Sequence, residues 1–170
     1  MTNKEFFIER WNHEIPGIIN AVKAVPEAKW DWTPHPKTRT AKQLIDHFVT
    51  HAEDLNEGAE TGAINHRLQA SYASTTDAVA AFETQSAKLM SLLSKMSDSD
   101  WDTKNCDMLV YGSKVGNCPI GAMCWSFLFD IIHHRGQLSV YYRPMGTVNP
   151  SIYGPTAEMV EEMMAKSAQN

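Results

Sequence analysis

Two stretches of the sequence concentrate side chains that could bind a metal ion or transfer a proton. One contains His47 and His51, which are four residues apart. The other contains Asp130, His133 and His134, and Asp130 and His134 are also four residues apart. On a helix, this spacing places two side chains on one face, with Cβ atoms about 5–6 Å apart. Imidazole and carboxylate groups are ligands for zinc, nickel, iron or manganese, so the two stretches form a candidate metal site.

The apolar pattern predicts that both stretches are helices that face a core. In each stretch a stripe recurs at intervals of three and four residues, as on the inward side of a helix. The stripes comprise Leu44, His47, Phe48, His51 and Leu55 in one stretch, and Met123, Phe127, Ile131, His134, Leu138 and Tyr141 in the other. An inward carboxylate beside an inward imidazole is costly to desolvate unless the two are paired or share a metal ion.

Two interpretations of this polar cluster follow from the residues. A hydrogen-bonded pair of Asp130 and His134 could stabilise the interior without metal, because ion-pair networks also place charges in cores. An inward His47 on a second helix favours a metal site, since such sites in bundles are built from side chains on facing helices. We therefore predict that His47, Asp130 and His134 bind a metal ion.

Three further residues are candidates for catalytic roles beside the metal. His133 or His51 could orient a ligand or accept a proton, because a ligating histidine usually donates its other ring N–H to a neighbour. Arg135 could steer an anionic substrate. The alternatives are rim positions for the two histidines and a solvated helix surface for the arginine.

The remaining chain predicts an all-α fold, a four-helix bundle in a single domain over residues 1–170. The principal helices are predicted at residues 3–24, 41–57, 76–96 and 119–143, with a short extra C-terminal helix at 156–166. Residues 25–40 predict an extended connection and residues 59–73 a loop, while a small hairpin over 108–117 is a further option before the fourth helix. The acidic stretch Asp98–Asp102 predicts a helix-capping turn.

Composition excludes several classes of protein. A net charge of −5 with scattered Lys and Arg argues against a nucleic-acid partner. No apolar run approaches the roughly 18–20 residues that span a bilayer, and the N-terminus lacks the layout of a signal peptide. The three cysteines match no metal or redox spacing and are expected to be passive. We predict a cytoplasmic protein with no membrane partner.

Four segments together resemble the DinB (DinB/YfiT-like) family of metal-dependent enzymes. They are Leu44–His47, His133–Leu138, Arg143–Gly146 and Pro150–Pro155. The resemblance covers nearly the whole chain and includes Trp30–Pro36 ahead of the second helix. It implies a DinB-like bundle, often a homodimer, with a divalent metal ion, commonly nickel or zinc.

In the family resembled, three histidines usually hold the metal, one from the second helix and two from the fourth. Carried over to this chain, the first falls on His47, the second on Asp130 and the third on His134. The carboxylate is a departure from the family pattern. It remains a suitable ligand, also for iron or manganese, but its shorter side chain could bind through water and weaken the affinity.

The wider superfamily resembled here includes S-transferases and isomerases that use low-molecular-weight thiols such as mycothiol, bacillithiol or glutathione. It therefore implies a metal-dependent enzyme that acts on a small molecule, with metal-activated thiolate attack as the first hypothesis. A metal-dependent hydrolase is the second. A metal-binding stress or damage-inducible protein without turnover, and a purely structural polar cluster without metal, are the alternatives.

Overall fold

A computed structural model describes residues 1–67 and 71–169 of the chain. These residues form six α-helices, a short 3-10 helix and a three-stranded sheet. In chain order the elements are α1 (Asn3–Lys23), the 3-10 helix (Glu27–Lys29), α2 (Ala41–Thr61), β1 (Ala63–His66), α3 (Thr75–Lys95), α4 (Asp98–Thr103), β2 (Asn105–Val110), β3 (Ser113–Pro119), α5 (Ile120–Ser139) and α6 (Ala157–Ser167). Residues 68–70 of the predicted loop lie outside the described residues.

The start of α2 is fixed by its own sequence. Thr40 is the N-cap, and its hydroxyl accepts from the backbone N–H of Gln43 while the Gln43 side chain accepts from the backbone N–H of Thr40. This reciprocal pair satisfies two backbone donors at the helix end. The helix continues to Thr61, four residues beyond its predicted end, and stops at Gly62, whose φ of 80° favours glycine.

The long helices pack around one apolar core. α2 contacts both α3 and α5, and α1 contacts the same two helices from the other side. The largest fully buried apolar side chains include Trp11, Trp101, Phe7, Phe48 and Phe82. Because α2 and α5 contact each other directly, inward residues of one helix can meet inward residues of the other. No helix in the described part of the chain is long and apolar enough to span a membrane.

The predicted all-α fold is wrong, because a mixed sheet packs beside the helices. β1 pairs in parallel with β2, and β2 pairs antiparallel with β3. The hairpin ahead of α5 is present and extends over Asn105–Pro119. β1 lies in the predicted loop, where four residues with only Ile64 buried give no periodic signal. Its partner strand is about forty residues further along the chain, so the pairing has no local signature.

The other differences concern helix ends. The predicted capping turn at Asp98–Asp102 is part of the one-and-a-half-turn helix α4, which has Ser97 as its N-cap. α5 ends at Ser139 rather than at residue 143, and turns follow it. Both differences are a few residues long, which is the usual uncertainty of helix boundaries.

Two glycines of α5 provide a matched test of this packing. A Cβ atom at Gly121 would lie 2.5 Å from the buried Trp101 indole, whereas one at the exposed Gly136 would meet nothing within 4 Å. We expect Gly121→Ala to lower the free energy of unfolding by about 1–3 kcal/mol through overpacking. Gly136→Ala should raise it by about 0.5–1 kcal/mol, because alanine is the better helix former. Urea denaturation measures both changes, and shifts of the same sign would contradict this packing.

Candidate metal centre

His47 on α2 meets Asp130 and His134 on α5 at the interface of these two helices. Asp130 Oδ2 lies 3.4 Å from His47 Nε2 and 3.2 Å from His134 Nε2. One potential ligand atom from each residue lies within 4.8 Å of the other two. Both imidazoles are buried, while the Asp130 side chain is 42% exposed, so the cluster has an open side.

Two hydrogen bonds fix the tautomer of His134. The side-chain oxygen of Gln137 accepts from His134 Nδ1 at 2.8 Å. On the other side of the ring, Nη1 of Arg39 lies 3.3 Å from His134 Nε2. An arginine can only donate, so His134 Nε2 is the acceptor and carries a lone pair. His134 therefore presents to Asp130 the form of imidazole that ligates a metal ion.

His47 is held less firmly than His134. Its buried Nδ1 has no hydrogen-bond partner among the described residues. Burial, only partly offset by the contact with Asp130, lowers the pKa of His47 to about 4. The ring is therefore neutral at pH 7, as a metal ligand must be, but its orientation lacks the hydrogen bond that usually supports a ligating histidine.

His51 orients the carboxylate of Asp130. Its Nε2 lies 2.7 Å from Asp130 Oδ2, and its Nδ1 lies 3.3 Å from Asp54 Oδ2. Burial favours the neutral form of His51, but the carboxylates of Asp130 and Asp54 outweigh it and raise its pKa. Contacts with His134, His47 and His51 hold the pKa of Asp130 well below its usual range, so Asp130 is ionised at neutral pH.

A second group of potential ligands continues from His51. His66 Nδ1 lies 2.7 Å from Asp54 Oδ2, and His51, Asp54 and His66 also present ligand atoms within 4.8 Å of one another. Although burial opposes it, the contacts with His51 and His66 lower the pKa of Asp54, which is therefore ionised. Asp54 follows His51 by three residues on α2, a spacing that could have revealed it. His66 lies on β1 and had no such signal.

The other two predicted catalytic residues lie outside this cluster. His133 is exposed, and its Nε2 accepts from the Gln137 side-chain amide at 3.0 Å, so its hydrogen-bond link to His134 runs through Gln137. Arg135 is 1% exposed and donates to Glu14 at 2.6 Å in the interior. The side-chain hydrogen bonds of Arg135 are with Glu14 and Tyr153, and none of those described is with a proposed metal ligand.

Two cavities border the cluster from different sides. One, of about 350 Å³, is lined by His47, Asp130, Phe127 and Met108 among others. The other, of about 410 Å³, is lined by His134 together with Arg39 and other side chains of the connection before α2 and of the end of α5. A small molecule in either cavity would lie next to a potential ligand.

Comparisons with known proteins agree with this architecture. The sequence model of the DinB superfamily matches residues 17–138. A DinB-like protein from Bacillus cereus has a similar structure, with a TM-score of 0.71 and 19% identity over 88% of this chain and 97% of its own. A DinB-like protein from Bacillus subtilis has a TM-score of 0.66 and 15% identity over 88% of this chain and 99% of its own. Among curated protein sequences, none matches this chain significantly.

Helices α2 and α5 bring histidines and a carboxylate together in a largely helical fold with a small sheet, and this arrangement defines the class of protein, a fold with a candidate metal centre. Since the family model covers most of the chain, the protein belongs to the DinB superfamily. The two solved structures, at less than 20% identity, support the fold alone.

Proposed function

We propose that this protein binds one divalent metal ion through His47, Asp130 and His134 and uses it to act on a small molecule. Nickel or zinc is the ion expected from the family resemblance, and iron or manganese would also suit the ligands. The proposed reaction is transfer of a low-molecular-weight thiol to an electrophile. Two imidazoles with one carboxylate leave coordination positions for substrate, which suits a catalytic rather than a purely structural site.

One observation carries the metal proposal. Nε2 of His47 and Nε2 of His134 converge on the same oxygen of the ionised Asp130, at 3.4 and 3.2 Å. Donor atoms bound to a tetrahedral metal ion at about 2.1 Å are roughly 3.4 Å apart. The separations of 3.2 and 3.4 Å around Asp130 Oδ2 are close to that value.

The residues around the ligands have defined roles in this proposal. Gln137 holds the tautomer of His134, and His51 holds the orientation of Asp130. A divalent ion supplies Lewis acidity that lowers the pKa of a coordinated thiol or water. The acidic partner Asp54 keeps His51 in place, because it accepts from the opposite side of that ring.

Access from two sides supports a reaction with two substrates. His47 and Asp130 line one cavity and His134 lines the other, so a thiol and an electrophile could each approach the same ion. Hydrolysis would need only one such cavity. This difference favours thiol transfer over the hydrolase alternative.

The homodimer expected from the resemblance is part of the proposal. α6 exposes Met159, Val160, Met163 and Met164, and this apolar face is a candidate contact between subunits. Exposed apolar patches of this kind are typical of interaction surfaces.

Elemental analysis of tag-free protein tests the metal site. We expect close to one divalent ion per chain in the protein as purified or after reloading and dialysis. His66→Ala, which removes only a member of the second group, should retain that ion. Removal of the ion by a chelator should lower the melting temperature, because a ligand that binds only the folded state stabilises it.

The outcomes separate the alternatives. Absence of metal after reloading would overturn the proposal and leave a structural polar cluster. Loss of metal in His66→Ala would assign the ion to the group of His51, Asp54 and His66. Metal binding without thiol-dependent loss of any electrophile or ester would favour a metal-binding protein without turnover.

A further inference from the structure

Arg39 is held beside the candidate metal centre by the chain that leads into α2. The next residue, Thr40, is the helix N-cap, and Tyr141 Oη donates to the backbone carbonyl of Arg39 at 3.1 Å. Tyr141 itself packs edge-on against Trp32 at 5.3 Å between ring centroids. The backbone of Arg39 is thus held on its carbonyl side, and its half-buried side chain contacts His134.

The guanidinium of Arg39 has no carboxylate partner in the ranges 1–67 and 71–169. Its side chain donates instead to His134 Nε2. That bond uses the lone pair that His134 would give to a metal ion. Ligation by His134 would therefore leave a fork of N–H donors free beside the ion, and such a fork fits the oxygens of a carboxylate or a phosphate.

The charge of the loaded site also favours an anion. A divalent ion with one carboxylate and two neutral imidazoles carries a net charge of about +1. Arg39 adds a second positive charge, and the exposed Lys37 lines the same cavity. Opposite charges attract most strongly where a cleft limits the access of water.

Part of the wall of this cavity is apolar. Its volume of about 410 Å³ is bounded by Leu44, Val140 and the ring of Tyr141 as well as by Arg39 and His134. A short hydrocarbon chain would contact these walls while an oxyanion at its end faced the guanidinium. Apolar surroundings with a few placed polar groups are typical of small-molecule sites.

We propose that Arg39 binds an oxyanion, carboxylate or phosphate, of the small-molecule substrate in the cavity between α2 and the end of α5. The inference rests on the proposed metal function and names the substrate class. It also assigns to Arg39 the anion-binding role that the sequence suggested for Arg135.

Titration of the cobalt(II)-loaded protein with butyrate, butyramide and inorganic phosphate tests this proposal, with the visible absorption of cobalt as the readout. We expect butyrate or phosphate to change the spectrum, and butyramide, which has the shape of butyrate without its charge, to bind at least about tenfold more weakly. Arg39→Gln should weaken binding of the anion about tenfold without loss of cobalt, and Arg39→Lys should restore part of it. Arg10→Gln, which removes a charge on α1, should have no effect.

Two results with the cobalt-loaded protein would overturn the proposal. Equal anion affinity in Arg39→Gln and the parent would remove Arg39 from the site, and a spectrum insensitive to both anions would remove the anion site itself. The tighter of butyrate and phosphate identifies the chemical group. If the parent binds no cobalt, the proposed function fails. Calorimetry of the metal-free protein then decides the inference, because Arg39-dependent butyrate or phosphate binding would uphold it and no such binding would overturn it.

Discussion

Asp130→Asn is expected to weaken metal binding by more than about a hundredfold. The substitution keeps the shape of the side chain and removes the only carboxylate among the three proposed ligands. Loss of a hydrogen bond outside the ligand set typically costs about 10–100-fold in metal affinity. A larger loss therefore distinguishes direct ligation by Asp130 from binding through water. Competition with a chromogenic chelator measures the affinity.

Asp54→Asn is the matched control for this substitution. It removes a buried carboxylate of the same size that contacts His51 and His66 rather than the proposed ion. We expect its metal affinity to fall by about 10–100-fold at most. Equal losses in the two variants, or unchanged affinity in Asp130→Asn, would contradict direct ligation by Asp130. Circular dichroism confirms that each variant is folded.

Arg135→Met is expected to lower the free energy of unfolding by about 3–5 kcal/mol. Arg135 and Glu14 form a buried ion pair at 2.6 Å, with exposed fractions of 1% and 7%. Tyr153 Oη donates to the same Glu14 carboxylate at 2.8 Å and also contacts the guanidinium. Removal of the arginine leaves the buried Glu14 carboxylate without a positively charged partner. An unpaired buried charge destabilises the folded state strongly. Urea denaturation measures the change.

The double variant Glu14→Leu with Arg135→Met controls for the loss of charge. Replacement of both partners by apolar groups removes the unpaired carboxylate, so most of the lost stability should return. Arg143→Met breaks the exposed pair with Glu158 and should leave the denaturation curve nearly unchanged. A loss of less than about 1 kcal/mol in the single variant would contradict the prediction that the broken buried pair is strongly destabilising.

The burial of Arg135 is the reason that we expect this residue to contribute to stability. Arg135 is four residues after Ile131 and three before Leu138, both of which are fully buried. That spacing places it on the inward face of α5. Its partner Glu14 is 121 residues earlier in the chain, so the sequence around α5 contains no sign of the pair.

The sequence by itself determined the long helices and the inward faces that carry His47, Asp130 and His134, because a helical repeat is a local property of the chain. The hairpin ahead of α5 was visible because its two strands and the turn between them are also adjacent in the sequence. Only the tertiary structure decided the rest. β1 could not be predicted, because it pairs with a strand that is distant in the sequence, and His66, which lies on β1, was missed for the same reason. Arg39 lies in an irregular connection, whose path cannot be predicted from periodicity. The hydrogen bond from Tyr141 holds that connection in the fold, and the guanidinium of Arg39 thereby contacts His134.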